Sequence, residues 1–326
     1  FGSSLASRFI FSRPQRVHSR AMPAPLPPRA NRAGPVLLRF LVGAPCALGL
    51  TLTAGTSHVC SLERGSHRAV CWGWDSMGQV SKAPTDERFS ALAAGAHHTC
   101  GLREADHTAL CWGRPESPVL QSPSRERFST LVAAYWHVCG LRESDGTAAC
   151  WGNDANNQST VPGHLKGEPF KLLVAGSAQT CGLKKDGTAA CWGLHPQATP
   201  PEGERFSSIS AGEYHTCGVR QGDKRGICWG LNHYEQSDVP ADERFSYIVA
   251  GGDHSCGLRK EDGTAACWGL NLDGQATPPA GQSFRSLVAG VYFTCGQRVE
   301  DNAVICWGRN MENQLTIPDG HMSEEL

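Results

Sequence analysis

Fifteen cysteines are the residues of this chain best suited to chemistry, and their spacing is regular. Fourteen fall in seven pairs: Cys60 with Cys71, Cys100 with Cys111, Cys139 with Cys150, Cys181 with Cys191, Cys217 with Cys228, Cys256 with Cys267 and Cys295 with Cys306. Six pairs are eleven residues apart, and Cys181 and Cys191 are ten apart. Each pair flanks a short polar turn, as in residues 139–152, CGLRESDGTAACWG, and Trp-Gly follows the second cysteine every time. Cysteines facing each other across a hairpin can bridge when their Cβ atoms come within about 3.5–4.5 Å. Seven equivalent pairs are therefore read as seven disulfides formed in an oxidising compartment. The alternative is seven pairs of reduced, buried thiols packing as small apolar groups. A zinc site is not expected, because there is no C-x-x-C and pairs in separate repeats would not bring four ligands together. Cys46 has no counterpart.

Histidine is the next candidate. His58, His98, His137, His215 and His254 all stand two residues before a first cysteine, with Gln179 and Phe293 at the two remaining positions. A ring of imidazoles suggests a metal. A phenylalanine in the series fits a scaffold role better, each ring hydrogen-bonding backbone within or between repeats. No metal or other cofactor is expected. Nor is an enzyme: G-x-S-x-G, H-E-x-x-H, the phosphate-binding G-x-x-x-x-G-K-[ST] and the dinucleotide fingerprint are all missing. Asn157-Gln158-Ser159 is a glycosylation sequon, a weak three-residue signal.

The elements that position these residues follow from the period. First cysteines of neighbouring units lie 40, 39, 42, 36, 39 and 39 residues apart, which marks a repeat architecture. The clearest copy spans residues 245–279. Within it, residues 245–250, 254–259 and 264–268 read as short strands, and a poorer fourth is expected near residues 275–277. Asp145-Gly146, Asp186-Gly187 and Asp262-Gly263 supply the positive φ that tight hairpins need. Four short strands per unit of this length give an all-β fold, a seven-bladed β-propeller over residues 50–320. The Trp after each second cysteine is read as blade packing, whereas Trp74 and Trp136 lie outside that series. The four Glu-Arg-Phe copies at residues 87–89, 126–128, 204–206 and 243–245 read as solvated turns leading into a core Phe.

Residues 1–49 differ from the rest, with seven Arg and no Lys, Asp or Glu. They are read as a leader or linker outside the fold, and residues 321–326 as a polar tail. The apolar stretch at residues 36–50 is short and interrupted, so no membrane span is expected. Of the 30 Lys and Arg, 23 lie after residue 49, against all 31 Asp and Glu, a net of −8 for that part. An acidic propeller is poorly suited to nucleic acid, whose phosphates are neutralised by Lys and Arg.

The pattern A-G-x-x-H-x-C-x-L followed by C-W-G-x-N-x-x-G-Q resembles the repeat of the regulator of chromosome condensation family. It is carried by Ala250-Gly251, His254, residues 268–271 and Gly274-Gln275. The resemblance covers roughly residues 50–318 and implies a seven-bladed propeller. The paired cysteines depart from the nuclear members and are similar to crinkly-type receptor ectodomains and to bacterial surface propellers. What the family implies is a protein-binding surface. Function is then expected where the repeats differ, at the two residues between A-G and the histidine position. Tyr135, Trp136, Glu213, Tyr214, Asp253 and Tyr292 are the candidates there, since exposed aromatics anchor interfaces. The expectation is a monomeric, secreted or surface-exposed propeller that binds a protein through one face. The alternative is a cytoplasmic regulator promoting nucleotide exchange on a small GTPase.

Overall fold

The computed structural model describes residues 52–194 and 199–318. All the described residues belong to one compact unit. The expectations for residues 1–49, for Cys46 and for the tail 321–326 fall outside the described residues.

Among the described residues, twenty-one strands form seven antiparallel sheets of three strands each, consecutive in chain order. In the sixth sheet these are an inner strand Phe245–Ala250, a middle strand His254–Arg259 and an outer strand Ala265–Gly269. Inner-strand ends from all seven sheets line a single axial opening. The sheets are therefore the blades of the expected all-β, seven-bladed β-propeller.

Among the described residues the expected fourth strand of the units is not there. Residues 271–277 form a turn whose amides are taken by side chains: Asn271 Oδ1 accepts from Ala276 N–H, and Gln275 Oε1 accepts from Asp273 N–H. Gln275 itself is fully buried, and its carbonyl accepts from Trp307 Nε1 and Thr294 Oγ1 of the next blade. With its polar groups already partnered, this segment gains nothing from a strand ladder.

Each blade packs on the next through its middle strand, which is buried along nearly its whole length. A Cβ at Gly257 would lie 2.3 Å from Phe245 Cδ1, so only glycine lets that ring lie flat on the strand. The ring then meets Trp268 at 5.7 Å and packs with Cys217 and Val219 of the fifth blade. The same Phe–Trp contact recurs in blades two to seven at 5.5–6.1 Å. Each turn between middle and outer strand is closed locally. Asp262 Oδ1 accepts from the N–H and hydroxyl of Thr264, and Gly263 adopts φ +70°.

All seven expected disulfides are formed, each between directly opposed residues with Cα atoms 4.0–4.1 Å apart. Cys60 is bonded to Cys71, Cys100 to Cys111, Cys139 to Cys150 and Cys181 to Cys191. Cys217 is bonded to Cys228, Cys256 to Cys267 and Cys295 to Cys306. The reading of these residues as reduced core thiols is thereby set aside. The two ends of each bridge differ in setting. The first cysteines, on the middle strands, are fully buried. Of the second, on the outer strands, Cys111 is buried, whereas Cys71, Cys150, Cys191, Cys228, Cys267 and Cys306 are half-buried. The bridges fasten the middle strand to the outer strand within a blade and do not cross between blades.

The ring closes through other means. Trp72 Nε1 of the first blade donates to Gln314 O of the seventh at 3.1 Å, and Leu315 and Ile317 pack beside Trp72.

Four of the histidines hold junctions between blades through a hydroxyl of the next blade, and for His215 and His254 backbone at Gly252 and Val291 contributes as well. His58 Nε2 lies 2.8 Å from Thr99 Oγ1 of the next blade, and Thr99 donates onward to Gln79 O. A hydroxyl has one proton, so Thr99 accepts from His58, which fixes the neutral, Nε2-protonated tautomer. His137–Thr180, His215–Ser255 and His254–Thr294 repeat the bond at 2.8 Å. Burial pushes these rings well below the ordinary imidazole value, to about 4 for His58, His137 and His215 and about 3 for His98 and His254. At the seventh blade, Phe293 replaces the histidine and Val59 replaces the hydroxyl. His98 faces Val138 and its Nε2 has no hydrogen-bond partner.

Candidate docking face

The topology places two variable segments on one end of the propeller. Gly73 pairs with His58, and Trp74 N–H donates to Ser57 O at 2.8 Å as the chain leaves the outer strand. The bond recurs as Arg114 to His97, Asn153 to Trp136, Leu194 to Ala178, Leu231 to Tyr214, Leu270 to Asp253 and Arg309 to Tyr292. The variable inner pair of each blade and its outer turn therefore share a face, the inner pairs around the axis and the outer turns at the rim.

At the centre is an opening of about 100 Å³ lined by backbone and small side chains, with Tyr135 and Glu213 at its edge. Ligand pockets for small molecules are usually about 300–1,000 Å³. Around it, the face has two different halves. Over the first three blades lies an aromatic group. The His97 ring meets Trp74 at 5.0 Å and Trp136 at 4.8 Å, Trp136 meets Tyr135 at 5.2 Å, and Arg114 caps Trp136 at 5.5 Å. Burial, reinforced by the Arg114 charge, holds the His97 imidazole below its ordinary value.

The other half is acidic and phenolic. Tyr214 donates to the Glu213 carboxylate and is itself bonded to Ser177. Burial pushes the Glu213 carboxyl above the usual carboxylate range, with the Asp253 charge adding to it and the Tyr214 bond opposing. Asp253 accepts from Gln236 Nε2 at 3.1 Å; burial raises its carboxyl too, offset by His233. Burial is the largest cause of the raised Tyr135 value, and the charge of Glu213 and the phenols of Tyr292 and Tyr214 add to it. Arg309 stacks over Tyr292 at 5.1 Å.

The six candidate residues thus lie on one face, all half-buried. Tyr135, Glu213, Tyr214 and Tyr292 gather at the mouth. Asp253 bridges to an outer turn, and Trp136 stands apart in the aromatic group. Four contributors were not among the candidates: Trp74, His97, Arg114 and Arg309. Arg114 and Arg309 immediately follow Trp-Gly, and the return of the outer strand beside the inner pair is what seats them here.

The arrangement has solved counterparts. The ectodomain of the receptor kinase CR4 from Physcomitrella patens is 31% identical with a TM-score of 0.69, over 80% of this chain and 74% of that one. The chain belongs to the regulator of chromosome condensation repeat family. The family's repeat model itself matches residues 245–275. Within the family, the chain is also similar to the CRINKLY ectodomain of the Arabidopsis thaliana receptor kinase ACR4, at 29% identity and a TM-score of 0.70, over 83% of this chain and all of that one. Yeast RCC1 (Prp20), solved bound to Kap60, aligns over 84% of this chain and 82% of that one with a TM-score of 0.62. At 18% identity that likeness speaks for the fold alone. No curated protein sequence matches the chain.

Proposed function

We propose that this member of the repeat family is a non-catalytic propeller, secreted or exposed on a cell surface, that binds a protein through the face bearing Tyr135, Trp136, Glu213, Tyr214, Asp253 and Tyr292. One observation carries the reading. Large aromatic and acidic side chains from separate blades converge at the axial mouth, on a scaffold whose blades are each closed by a disulfide. Half-buried aromatics on a rigid frame lose little conformational entropy on binding. Seven disulfides suit an oxidising compartment, and the similar receptor kinase domains are ectodomains. Among the described residues no helix is long and apolar enough to cross a membrane. The small axial opening supports a binding role over catalysis on a small molecule.

The experiment is photo-crosslinking from residue 135 in the protein's native setting, with identification of the captured species by mass spectrometry. A single protein captured by the native face, and lost with Trp136→Ala plus Tyr214→Ala, is the expected result. Capture unchanged by both substitutions would remove this face from the reading. Catalysed nucleotide release from a small GTPase would instead favour the exchange-factor alternative.

A further inference from the structure

Five large hydrophobic side chains are exposed among the described residues, and four of them stand on the docking face: Leu194, Tyr234, Leu272 and Met311. They occupy the rim segments of four consecutive blades, the fourth to the seventh. Leu272 is 86% and Met311 71% exposed, far more than a side chain left over from core packing. The rim turns that raise the last three are rigid. Asn232, Asn271 and Asn310 accept turn amides through Oδ1, and Gln236, Gln275 and Gln314 do so through Oε1. An apolar arc is thus held in water at a fixed shape.

Inside the arc lie Glu213 and Asp253. Neither is ion-paired among the described residues. The other end of the propeller is different. There the glutamates of the Glu-Arg-Phe copies are paired: Glu87 with Arg103, Glu126 with Arg142 and Glu243 with Arg259, at 2.7–3.1 Å. The Glu-Arg-Phe glutamates thus each have an arginine beside them, whereas Glu213 and Asp253 are half-buried carboxylates with no cation at ion-pair distance among the described residues.

We infer that the arc over blades four to seven docks a protein segment combining basic and apolar residues, with a Lys or Arg side chain seated between Glu213 and Asp253 and its apolar neighbours resting on Tyr234, Leu272 and Met311. The inference rests on the protein-binding reading and adds the chemistry of the partner. Charge complementarity selects the occupant: an ammonium or guanidinium supplies the missing countercharge, and the phenol ring of Tyr214 favours a cation near its face. Phosphate-rich nucleic acid and anionic lipid are disfavoured by the same two carboxylates.

The test is selection of a displayed library of random linear peptides on the folded, disulfide-intact propeller. The expected result is enrichment of peptides with Lys or Arg beside Leu, Ile, Met or aromatic residues. Their affinity should fall about tenfold or more in Glu213→Gln with Asp253→Asn, and in Leu272→Ser with Met311→Ser, and should weaken with salt. Each variant is accepted only if its thermal melt matches or exceeds that of the native chain. Peptides that compete at this face yet are neutral or acidic would overturn the inference while leaving the protein-binding reading intact. Failure to enrich any peptide at this face would count against both. Sedimentation of the native chain supplies the last arm: a dimer dissolved by Leu272→Ser with Met311→Ser would make a second copy the occupant and overturn the inference.

Discussion

The junction between the second and third blades should be improvable by one oxygen atom. His98 is 1% exposed and faces Val138, at a position where four other junctions carry Thr or Ser 2.8 Å from the histidine. The His98 ring is turned so that Nε2 lies toward Gly95, 2.6 Å from where a Cβ would stand, and that nitrogen has no partner. Val138→Thr keeps side-chain shape and adds an acceptor to which the His98 ring can turn its Nε2, as in the other four junctions, so it should stabilise the protein by about 1 kcal/mol. The seventh-to-first junction is the control. Val59 is fully buried opposite Phe293, which offers no donor or acceptor. There Val59→Thr strands a hydroxyl and should cost about 1–3 kcal/mol. Thr99→Val leaves the His58 Nε2 proton unpaired and should cost a similar amount. The assay is urea unfolding followed by tryptophan fluorescence without reductant, comparing midpoints at unchanged slope. In a domain of this size each kcal/mol moves the thermal midpoint by about 2–4 °C. One substitution at one structural position should therefore act with opposite signs at two junctions. Equal destabilisation by Val138→Thr and Val59→Thr would refute the pairing argument.

Two further outcomes follow from the same scaffold. The five buried histidines have folded values of about 3–4 against 6.5 for the free side chain, so the unfolded chain takes up their protons first as pH falls. Stability should be fully present above pH ~6.5 and decline from there toward pH ~4, each ring withdrawing on the order of 2–3 kcal/mol. His137→Gln, which copies Gln179 of the fourth blade, should flatten the urea-midpoint profile, and an unchanged slope across that window would contradict the assignment. Replacing Cys139 and Cys150 together by Ala should lower stability by about 3 kcal/mol, read by urea unfolding, and leave the other six bridges intact on a non-reducing peptide map.

Much of this molecule was legible from residue types at fixed spacing. The forty-residue period, the Asp-Gly turns and the paired cysteines are local signals, because a hairpin carries its turn and its bridge within one stretch of chain. They were enough for the blade, for its repetition seven times and for the disulfide pairing, as Cys256 opposite Cys267 illustrates. Comparing the repeats also pointed to one face, since equivalent positions in a ring must lie at equivalent places.

What the tertiary structure decided depends on neighbouring blades. The Asn271–Thr277 segment has strand-like composition in places, yet becomes a turn because Gln275 O is claimed by Trp307 and Thr294, 32 and 19 residues away. The histidines pair with hydroxyls on the next blade, |i−j| = 40–43 away, a partnership invisible until the blades are packed. The pairing of Phe293 with Val59 has the same cause and becomes readable only when the ring is closed. The docking face is assembled likewise. Arg114 and Arg309 join it because the outer strand returns beside the inner hairpin. Leu272 and Met311 are ordinary turn residues in the sequence, and it is their exposure on one rigid arc that sets them apart. Local sequence determines what each blade is. The packing of one blade on the next determines which side chains are spent on the ring and which remain free to bind.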